Sequence, residues 1–267
     1  MNRLETAQMP RVLTIAGSDC SGGAGIQADL KTMTAHKAYG MSVITALTAQ
    51  NTTEVAAIHA VPPEFVAAQI KAVFDDIPPQ ASKIGMTANA GLIAAIAAGL
   101  KAYHAPNIVL DPVMTAESGA RLLKADAAQA LIDLLLPLAD IITPNKAEAE
   151  ILSNFTINNH EDMRTAAHKL SKLTPAAVLI KGGHMAGDAS DLLLYCGEEF
   201  WFSAPRVDNP NSHGTGCTLS SAIACRLAEG KSVPEACRLA KEYLTDALQA
   251  GLDLGQGKGP LNHCCRL

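Results

Sequence analysis

Short apolar segments rich in β-branched residues alternate with segments of helical hydrophobic periodicity along almost the whole chain. Strands are predicted at residues 12–16, 42–47, 55–60, 83–85, 108–110, 140–142, 177–181 and 191–195. Helices are predicted at residues 27–36, 63–75, 90–103, 125–136, 146–152, 163–172, 218–229 and 234–250. Several strands are continuous apolar runs, which is typical of parallel strands covered on both faces. The alternation therefore predicts an α/β fold with a doubly wound, mostly parallel central sheet and helices on both faces.

Composition narrows the class of protein further. Of 267 residues, 48% are hydrophobic and 18% are charged, and no linker, repeat or low-complexity segment interrupts the pattern. We therefore expect a single domain over residues 1–267, with residues 1–10 flexible. The net charge of −5 gives no footprint for nucleic acid. Residues 1–11 lack the apolar region of a secretory signal, and no apolar run reaches the roughly 18–20 residues of a membrane span.

The seven cysteines are odd in number and irregular in spacing, and no Cys-x-x-Cys pair occurs. This pattern indicates neither a disulfide framework nor a structural zinc site. We therefore expect a reducing, cytoplasmic location.

A glycine-rich segment, residues 17–25, follows the first predicted strand and precedes the first predicted helix. Such a loop lets a ligand approach the backbone, and the helix start offers free N–H groups. Residues 23–28 formally match the Gly-x-Gly-x-x-Ala pattern of dinucleotide sites, but no acidic residue ends the second strand near residues 47–50, where a ribose partner belongs. The Walker A pattern is absent. A ligand loop and a plain tight turn both remain open on this motif alone.

A second motif, Asn145-Lys146-Ala147-Glu148, begins a predicted helix at the end of a strand. Asn145 and Glu148 lie one turn apart and share a helix face. The amide and the carboxylate could hold Mg²⁺ through its waters, because this ion keeps much of its hydration shell. The same spacing is that of a capping box, and on spacing alone this structural role is favoured.

A third motif, residues 213–218 (His-Gly-Thr-Gly-Cys-Thr), opens a predicted apolar helix. Gly214 and Gly216 allow successive N–H groups to converge on an anion, and the helix start adds partial positive charge. Both effects suit a phosphoryl group in transfer. Cys217 lies at the same helix start, which predicts a lowered thiol pKa. The structural alternative is a glycine-rich helix cap with a buried cysteine.

Three single polar residues follow other predicted strands. Asp111 and Lys181 are suited to metal and phosphate, and Gln50 carries both a donor and an acceptor for the edge of a ring. Because ligands of open α/β sheets bind beyond the carboxyl ends of the strands, the shared position of these residues predicts one common site.

These segments together resemble the ribokinase-like superfamily and, within it, the hydroxymethylpyrimidine/phosphomethylpyrimidine kinases of thiamine biosynthesis. The resemblance runs from about residue 11 to residue 263 and is carried by residues 14–19, 21–32, 39–40, 43–52, 83–86, 109–114, 143–145, 181–184 and 213–218. It implies transfer of the γ-phosphoryl group of ATP, with Mg²⁺, to 4-amino-5-hydroxymethyl-2-methylpyrimidine and then to its monophosphate. It also implies a homodimer that binds neither nucleic acid nor membranes.

The resemblance implies a role for individual residues. The pyrimidine pocket would be lined by Gly17, Ala24, Gln50, Met86 and Val113, with Gln50 reading the aminopyrimidine edge. Metal and phosphates would be held by Asn145, Glu148, Asp111 and Lys181. The anion hole and the catalytic group would be supplied by Gly214, Thr215, Gly216 and Cys217.

One position departs from the wider superfamily. Many of its members carry Asp where this chain has Cys217, although Cys is typical of the hydroxymethylpyrimidine kinases and of a related group of pyridoxal kinases. The identity of the catalytic base is therefore left open. A pyridoxal kinase is the nearest alternative function, followed by a nicotinamide-dependent reductase and by a pyrimidine-binding sensor without catalytic activity.

Overall fold

A nine-stranded mixed sheet forms the centre of the molecule in the computed structural model, which describes residues 9–114, 127–183 and 188–267. The strands are β1 (Arg11–Asp19), β2 (Tyr39–Gln50), β3 (Val55–Ala60), β4 (Ala81–Ile84), β5 (Ile108–Leu110), β6 (Ile141–Ile142), β7 (Ala177–Ile180), β8 (Ala189–Tyr195) and β9 (Glu198–Ala204). Their order across the sheet is β3-β2-β1-β4-β5-β6-β7-β8-β9. Six adjacent strands pair in parallel, namely β2, β1, β4, β5, β6 and β7. Strand β3 at one edge and strands β8 and β9 at the other pair antiparallel with their neighbours.

Helices cover both faces of this sheet. They are α1 (Gly25–Ala35), α2 (Pro63–Asp76), α3 (Ala90–Ala102), α4 (Ala127–Ala130), α5 (Lys146–Ser153), α6 (His160–Leu170), α7 (Thr215–Ala228) and α8 (Val233–Gln249). One hydrophobic core lies between the sheet and α2, α3, α5 and α6, and a second lies between the sheet and α1, α7 and α8. The predicted fold class, a doubly wound and mostly parallel sheet, is therefore confirmed.

All eight predicted strands are present, and β3 and β5 have the predicted bounds. Strand β9 was not predicted. It follows β8 through a two-residue turn in which Cys196 and Gly197 both have positive φ, 51° and 81°. A turn of this type usually carries Asn-Gly or Asp-Gly, so Cys-Gly gave a weak hairpin signal.

The predicted helix at residues 125–136 is wrong in form. Its first two residues lie outside the described residues, and α4 gives way to a π-helical turn at Leu131–Leu135 and a 3₁₀ turn at Leu136–Leu138. Pro137 lacks an N–H group and its ring crowds the preceding turn, which disfavours a regular α-helix over the residues just before it. The other helices agree with their predictions to within a few residues.

The single-domain organisation stays a prediction, and most of the segment predicted to be flexible, residues 1–8, lies outside the described residues. Among the helices that the structure describes, none has the length and hydrophobicity needed to cross a membrane.

The fold brings the polar residues of the predicted site to one edge of the sheet. Because the strands β2, β1, β4, β5, β6 and β7 run parallel, residues that end or follow them meet at their common carboxyl edge. Gln50 ends β2, Asp111 follows β5, and Lys181 follows β7.

Candidate active site

A cavity of about 440 Å³ opens at the carboxyl edge of the parallel strands. Every residue given a site role from the sequence lines it: Gly17, Ala24, Gln50, Met86, Asp111, Val113, Asn145, Glu148, Lys181, Gly214, Thr215, Gly216 and Cys217. Their convergence in one cavity agrees with the expected common site, while the role of each residue stays a prediction.

A largely buried ion pair lines the cavity. The Nζ atom of Lys181 lies 2.9 Å from Oδ1 of Asp111, and the hydroxyl group of Thr143 donates to the same oxygen over 3.2 Å. Burial lowers the pKa of Lys181, but the carboxylates of Asp111 and Glu148 outweigh burial and raise this pKa above its usual value. Lys181 therefore remains a cation, and a phosphate oxygen is a suitable ligand for it.

Glu148 shares this cavity and is only 4% exposed. Burial raises the pKa of Glu148 to about 7, Lys181 lowers this pKa, and the negative charge of Asp111 raises it again. A second cation near the carboxylate would favour its charged form. This part of the cavity is therefore short of positive charge.

The capping box of α5 is confirmed. Oδ1 of Asn145 accepts from the N–H group of Glu148 over 2.9 Å, and Oε2 of Glu148 accepts from the N–H group of Asn145 over 2.8 Å. These bonds fix the Glu148 carboxylate at the start of α5, where it lines the cavity. Capping and ligand binding are therefore compatible roles for the same side chain.

The donor set fits Mg²⁺. Asp111 and Glu148 bring two carboxylates to one cavity, and the described residues hold no group of three or more His, Cys, Asp or Glu side chains that could bind a metal. In phosphotransferases Mg²⁺ is usually bound by one or two carboxylates, by water and by substrate phosphates, rather than by a complete protein cage.

Helix α7 begins beside the ion pair. Its N-cap, Gly214, has a left-handed backbone with φ of 89°, and a Cβ atom there would lie 2.0 Å from the carbonyl oxygen of Gly23. The two glycine-rich loops therefore touch backbone to backbone. A Cβ atom on Gly216 would lie 3.3 Å from both Oδ2 of Asp111 and Nζ of Lys181. The N–H groups of the first helical turn and Nζ of Lys181 could therefore bind the same anion.

The predicted lowering of the Cys217 pKa is wrong. Burial raises the pKa of this thiol to about 11; Lys83 lowers it, whereas Asp29 and Asp111 raise it further. A helix start typically contributes about 0.3–1 kcal/mol, and up to about 2 kcal/mol in partly buried geometries, in favour of the thiolate. Desolvation of the thiolate therefore outweighs the helix.

The first glycine-rich loop, residues 17–25, lines a further part of the cavity, which we call the ring pocket. A Cβ atom on Gly17 would lie 2.9 Å from the sulfur of Met86, so a larger residue there would displace that thioether from the cavity wall. The small side chains of Ala24 and Val113 line the same space, and Gln50 carries the polar group. This pocket suits a small flat ring with a polar edge.

Two residues of the site, Asp19 and His213, were not given a role from the sequence. Their side chains line the cavity and lie 2.8 Å apart, from Oδ2 of Asp19 to Nε2 of His213. Burial raises the pKa of Asp19, but hydrogen bonds from His213, Ser21 and Ala24 more than offset burial and lower this pKa to about 2. The only signal was that each residue lies inside a segment that carries the family resemblance.

The far end of the cavity was missed entirely. It is lined by apolar residues of β9, of the segment after β9 and of helices α7 and α8: Ala204, Val207, Leu219, Leu244 and Leu248. Lys241 on α8 pairs with Asp191 on β8 over 2.8 Å, and Asp191 also accepts from the N–H group of Gly182. Because these residues look like ordinary core positions, no sequence pattern marked them.

Known proteins share this fold and sequence. A family model described as phosphomethylpyrimidine kinase matches residues 19–262. A hydroxymethylpyrimidine/phosphomethylpyrimidine kinase of Streptomyces coelicolor is 50% identical over 254 residues, which are 95% of this chain and 94% of the relative. The thiamine biosynthesis bifunctional protein ThiED of Geobacter sulfurreducens is 51% identical over 260 residues, or 96% of this chain; the chain spans about half the length of that relative, 53%.

A solved structure shares the fold of this chain. The crystal structure of an ADP complex of Bacillus subtilis pyridoxal kinase aligns with a TM-score of 0.87 and 38% identity, over 96% of this chain and 97% of that one. The family match over residues 19–262 and 50% identity along nearly the whole of the Streptomyces relative lead to one conclusion: this chain belongs to the phosphomethylpyrimidine kinase family.

Proposed function

We propose that this enzyme transfers the γ-phosphoryl group of ATP to the hydroxymethyl group of 4-amino-5-hydroxymethyl-2-methylpyrimidine, and then phosphorylates the monophosphate to the pyrophosphate, in thiamine biosynthesis. The observation that carries this proposal is one cavity that is lined both by Gly17, Met86 and Gln50 and by the Lys181–Asp111 pair with the start of α7. Family membership supports the same reaction class, a phosphotransferase.

Different residues of the cavity bind the ring, the phosphates and the metal ion. Gly17, Met86 and Gln50 hold the ring, so that its hydroxymethyl group points towards Cys217 and the start of α7. Lys181 and the N–H groups of the first turn of α7 bind the phosphate oxygens, whose negative charge is spread out in the transition state. Mg²⁺, when bound by Asp111 and Glu148 through its waters and the phosphates, supplies further positive charge.

Positioning and electrostatics then contribute most of the rate. One anion-hole donor is typically worth about 10²–10³-fold, and general base help about 10²–10⁴-fold. A neutral alcohol must lose its proton as it attacks, and Cys217, which lines the cavity at the start of α7, is one candidate to receive it. Since burial raises the pKa of Cys217 to about 11, few thiols are ionised at neutral pH, which makes the thiolate a minor contributor.

The second phosphorylation uses the same cavity. Its acceptor is the phosphate of the monophosphate, which is already anionic near neutral pH, so no base is required. Lys181 and the start of α7 are placed to bind anionic oxygens in both steps.

We further propose that the enzyme is cytoplasmic and forms a homodimer. The absence of a disulfide pattern supports the location. Exposed apolar side chains on β2 and β3, namely Tyr39, Leu47 and Ile58, support a second copy as the partner. Light scattering of the purified protein would measure its mass in solution.

Pyridoxal phosphorylation is the second candidate, because the fold is shared with a pyridoxal kinase at a TM-score of 0.87. The two functions are separated by measuring kcat/KM with each acceptor under saturating ATP and Mg²⁺. We expect the aminopyrimidine to be the better substrate by at least about tenfold, because a site built to pair with a polar edge discriminates strongly against rings that lack it. A preference for pyridoxal would reverse the assignment.

A further inference from the structure

Three side chains at the ring end of the cavity form a continuous chain of contacts that leads from the cavity into the protein. Nε2 of His213 lies 2.8 Å from Oδ2 of Asp19 and 3.3 Å from Nε2 of Gln50. His213 is 7% exposed and Asp19 is 3% exposed, so both are shielded from bulk water. Gln50 is the member of the chain that lies closest to the position proposed for the ring.

The protonation of the His213 nitrogen follows from its partner. The Asp19 carboxylate accepts hydrogen bonds from the N–H groups of Ser21, Gly23 and Ala24 and from the hydroxyl group of Ser21. These donors and His213 keep Asp19 ionised, with its pKa lowered to about 2 although burial acts in the opposite direction. An ionised carboxylate can only accept, so Nε2 of His213 must carry a proton whether or not the ring is charged.

The orientation of the Gln50 amide is then determined. As placed, its Nε2 atom faces the protonated Nε2 of His213, which sets two donors against each other. Its Oε1 atom lies 3.2 Å from the hydroxyl group of Thr48, which also lies 3.0 Å from the carbonyl oxygen of Ser18. Two acceptors would then compete for the single proton of Thr48. The oxygen and nitrogen of an amide differ only by a half-turn of the group. That half-turn gives Thr48 one donor and one acceptor partner, and it makes the Gln50 oxygen the second, longer acceptor of the Nε2–H group that His213 already donates to Asp19.

We propose that Asp19 and His213 are positioning residues that fix the Gln50 amide with its oxygen towards His213 and its nitrogen towards Thr48, and so set the hydrogen-bonding pattern that selects the substrate ring. This inference rests on the proposed pyrimidine site at Gln50. After the half-turn, the Gln50 amide keeps one free N–H group and one free lone pair. This pair matches a ring nitrogen beside an exocyclic amine, which is the edge of an aminopyrimidine.

The backbone holds the imidazole in place. A Cβ atom on Gly23 would lie 2.2 Å from Cδ2 of His213, so the ring packs directly on the glycine backbone. The backbone N–H group of His213 donates to the carbonyl oxygen of Gly259 over 3.1 Å, which fixes the main chain that carries the ring. The imidazole itself is held by the Gly23 backbone and by Asp19, and Gln50 is the partner that adjusts to it.

The test compares two substitutions of the same residue. His213→Phe keeps a ring but removes the Nε2 donor, whereas His213→Gln places an amide nitrogen near the former Nε2 position, where the Asp19 carboxylate orients it as a donor. His104→Phe, at an exposed histidine, is the matched control. Calorimetry measures the Kd of hydroxymethylpyrimidine and of its analogue without the amino group, steady-state assays give kcat and both KM values, and thermal melting checks the fold.

We expect His213→Phe to weaken binding of hydroxymethylpyrimidine by about threefold to tenfold, the range of one hydrogen bond, with a smaller change for the analogue. The KM for ATP should stay unchanged, and His213→Gln should recover most of the affinity and of the discrimination between the two ligands. Because His213 acts through Gln50, the double variant Gln50→Leu, His213→Phe should match Gln50→Leu alone.

Each contrary outcome has its own meaning. Additive losses in the double variant, or equal losses for both ligands, would overturn the positioning role. If His213→Gln loses as much discrimination between the two ligands as His213→Phe does, the positioning role is also overturned. Unchanged ligand discrimination in Gln50→Leu would overturn the assignment of Gln50 and the positioning role with it. Wild-type protein that binds hydroxymethylpyrimidine without phosphorylating it would overturn the proposed function only, and wild-type protein that does not bind it would overturn both.

Discussion

Burial determines the chemistry of Cys217 more than its place at a helix start does. With a pKa of about 11, roughly one thiol in 10⁴ is ionised at pH 7. The positive charge of Lys83 is close enough to lower this pKa, but Lys83 is itself neutralised by its buried ion pair with Asp29, 2.9 Å away. A cysteine of this kind is a weak nucleophile and a scarce base.

Cys217 should therefore be among the slowest thiols to react with an alkylating reagent. Cys20, Cys196 and Cys264 are exposed, whereas Cys217 is half-buried and its pKa is raised. A time course with iodoacetamide at pH 7.5, read by peptide mass, should show these three labelled before Cys217. Preferential labelling of Cys217, with protection by substrate, would instead indicate an activated thiolate.

The two half-reactions separate the possible roles of Cys217 in catalysis. If the thiolate were the main base, Cys217→Ala would slow phosphorylation of the neutral alcohol by about 10²–10⁴-fold and the second step much less. Because the thiol is mostly neutral, we expect losses in the two steps that agree to within about a factor of ten, the change produced by one pKa unit. Rates measured separately with the alcohol and with the monophosphate test this, and a loss confined to the first step would restore the base role.

Glu148 should act through the metal as well as through the helix cap. Glu148→Gln keeps the size of the side chain and can still accept from the N–H group of Asn145, but it removes the charge. Activity should fall steeply and require more Mg²⁺, while the melting temperature stays near the wild-type value. Titration of activity against Mg²⁺ measures this, and an unchanged Mg²⁺ requirement together with a lower melting temperature would leave only the capping role.

At the scale of the element, the start of α7 combines a tight backbone contact with an open anion site. Gly214 must be glycine because its φ is 89° and a Cβ atom would collide with the Gly23 carbonyl oxygen. Gly216 differs, since it is helical and has room for a Cβ atom except towards the Asp111–Lys181 pair. The two glycines therefore serve different needs, one of folding and one of function.

Gly216→Ala is the substitution that separates stability from activity. Alanine favours a helix by roughly 0.5–1 kcal/mol over glycine, so stability should stay level or rise. Activity should fall by about tenfold or more, because the new methyl group lies 3.3 Å from Oδ2 of Asp111 and Nζ of Lys181, the pair proposed to hold metal and phosphate, and a small misplacement of a phosphoryl group is costly. Urea unfolding and steady-state rates measure the two effects, and an unchanged kcat would argue against an anion site at this turn.

The elements that the sequence predicted well are those with strong local signals. Strands β3 and β5 were bounded correctly because each is a short apolar run between breakers. Strand β9 was missed because its positive-φ turn carries Cys-Gly, and the helix predicted at residues 125–136 overlooked the π-helical turn at Leu131–Leu135 and the 3₁₀ turn at Leu136–Leu138. In both cases the local backbone conformation decided the outcome, and hydrophobic periodicity does not report it.

At the scale of the whole molecule, the cavity gathers residues from Ala16 to Lys258, so almost the full length of the chain is needed to build it. Residues at strand ends, such as Asp111 and Lys181, could be predicted because the sheet edge gathers them wherever they lie in sequence. The contact between Asp19 and His213 joins residues 194 positions apart, and no spacing rule reaches that far. The apolar far end was likewise hidden, because it uses residues of ordinary core type.

The central claim is that one cavity performs two successive phosphorylations of the aminopyrimidine. The most direct measurement is mass spectrometry of the acceptor during incubation of the purified chain with hydroxymethylpyrimidine, ATP and Mg²⁺, with ADP quantified in parallel. The account predicts that the monophosphate appears first and is then converted to the pyrophosphate, with two ADP formed for each pyrophosphate. Absence of any phosphorylated pyrimidine, while pyridoxal is phosphorylated under the same conditions, would contradict it.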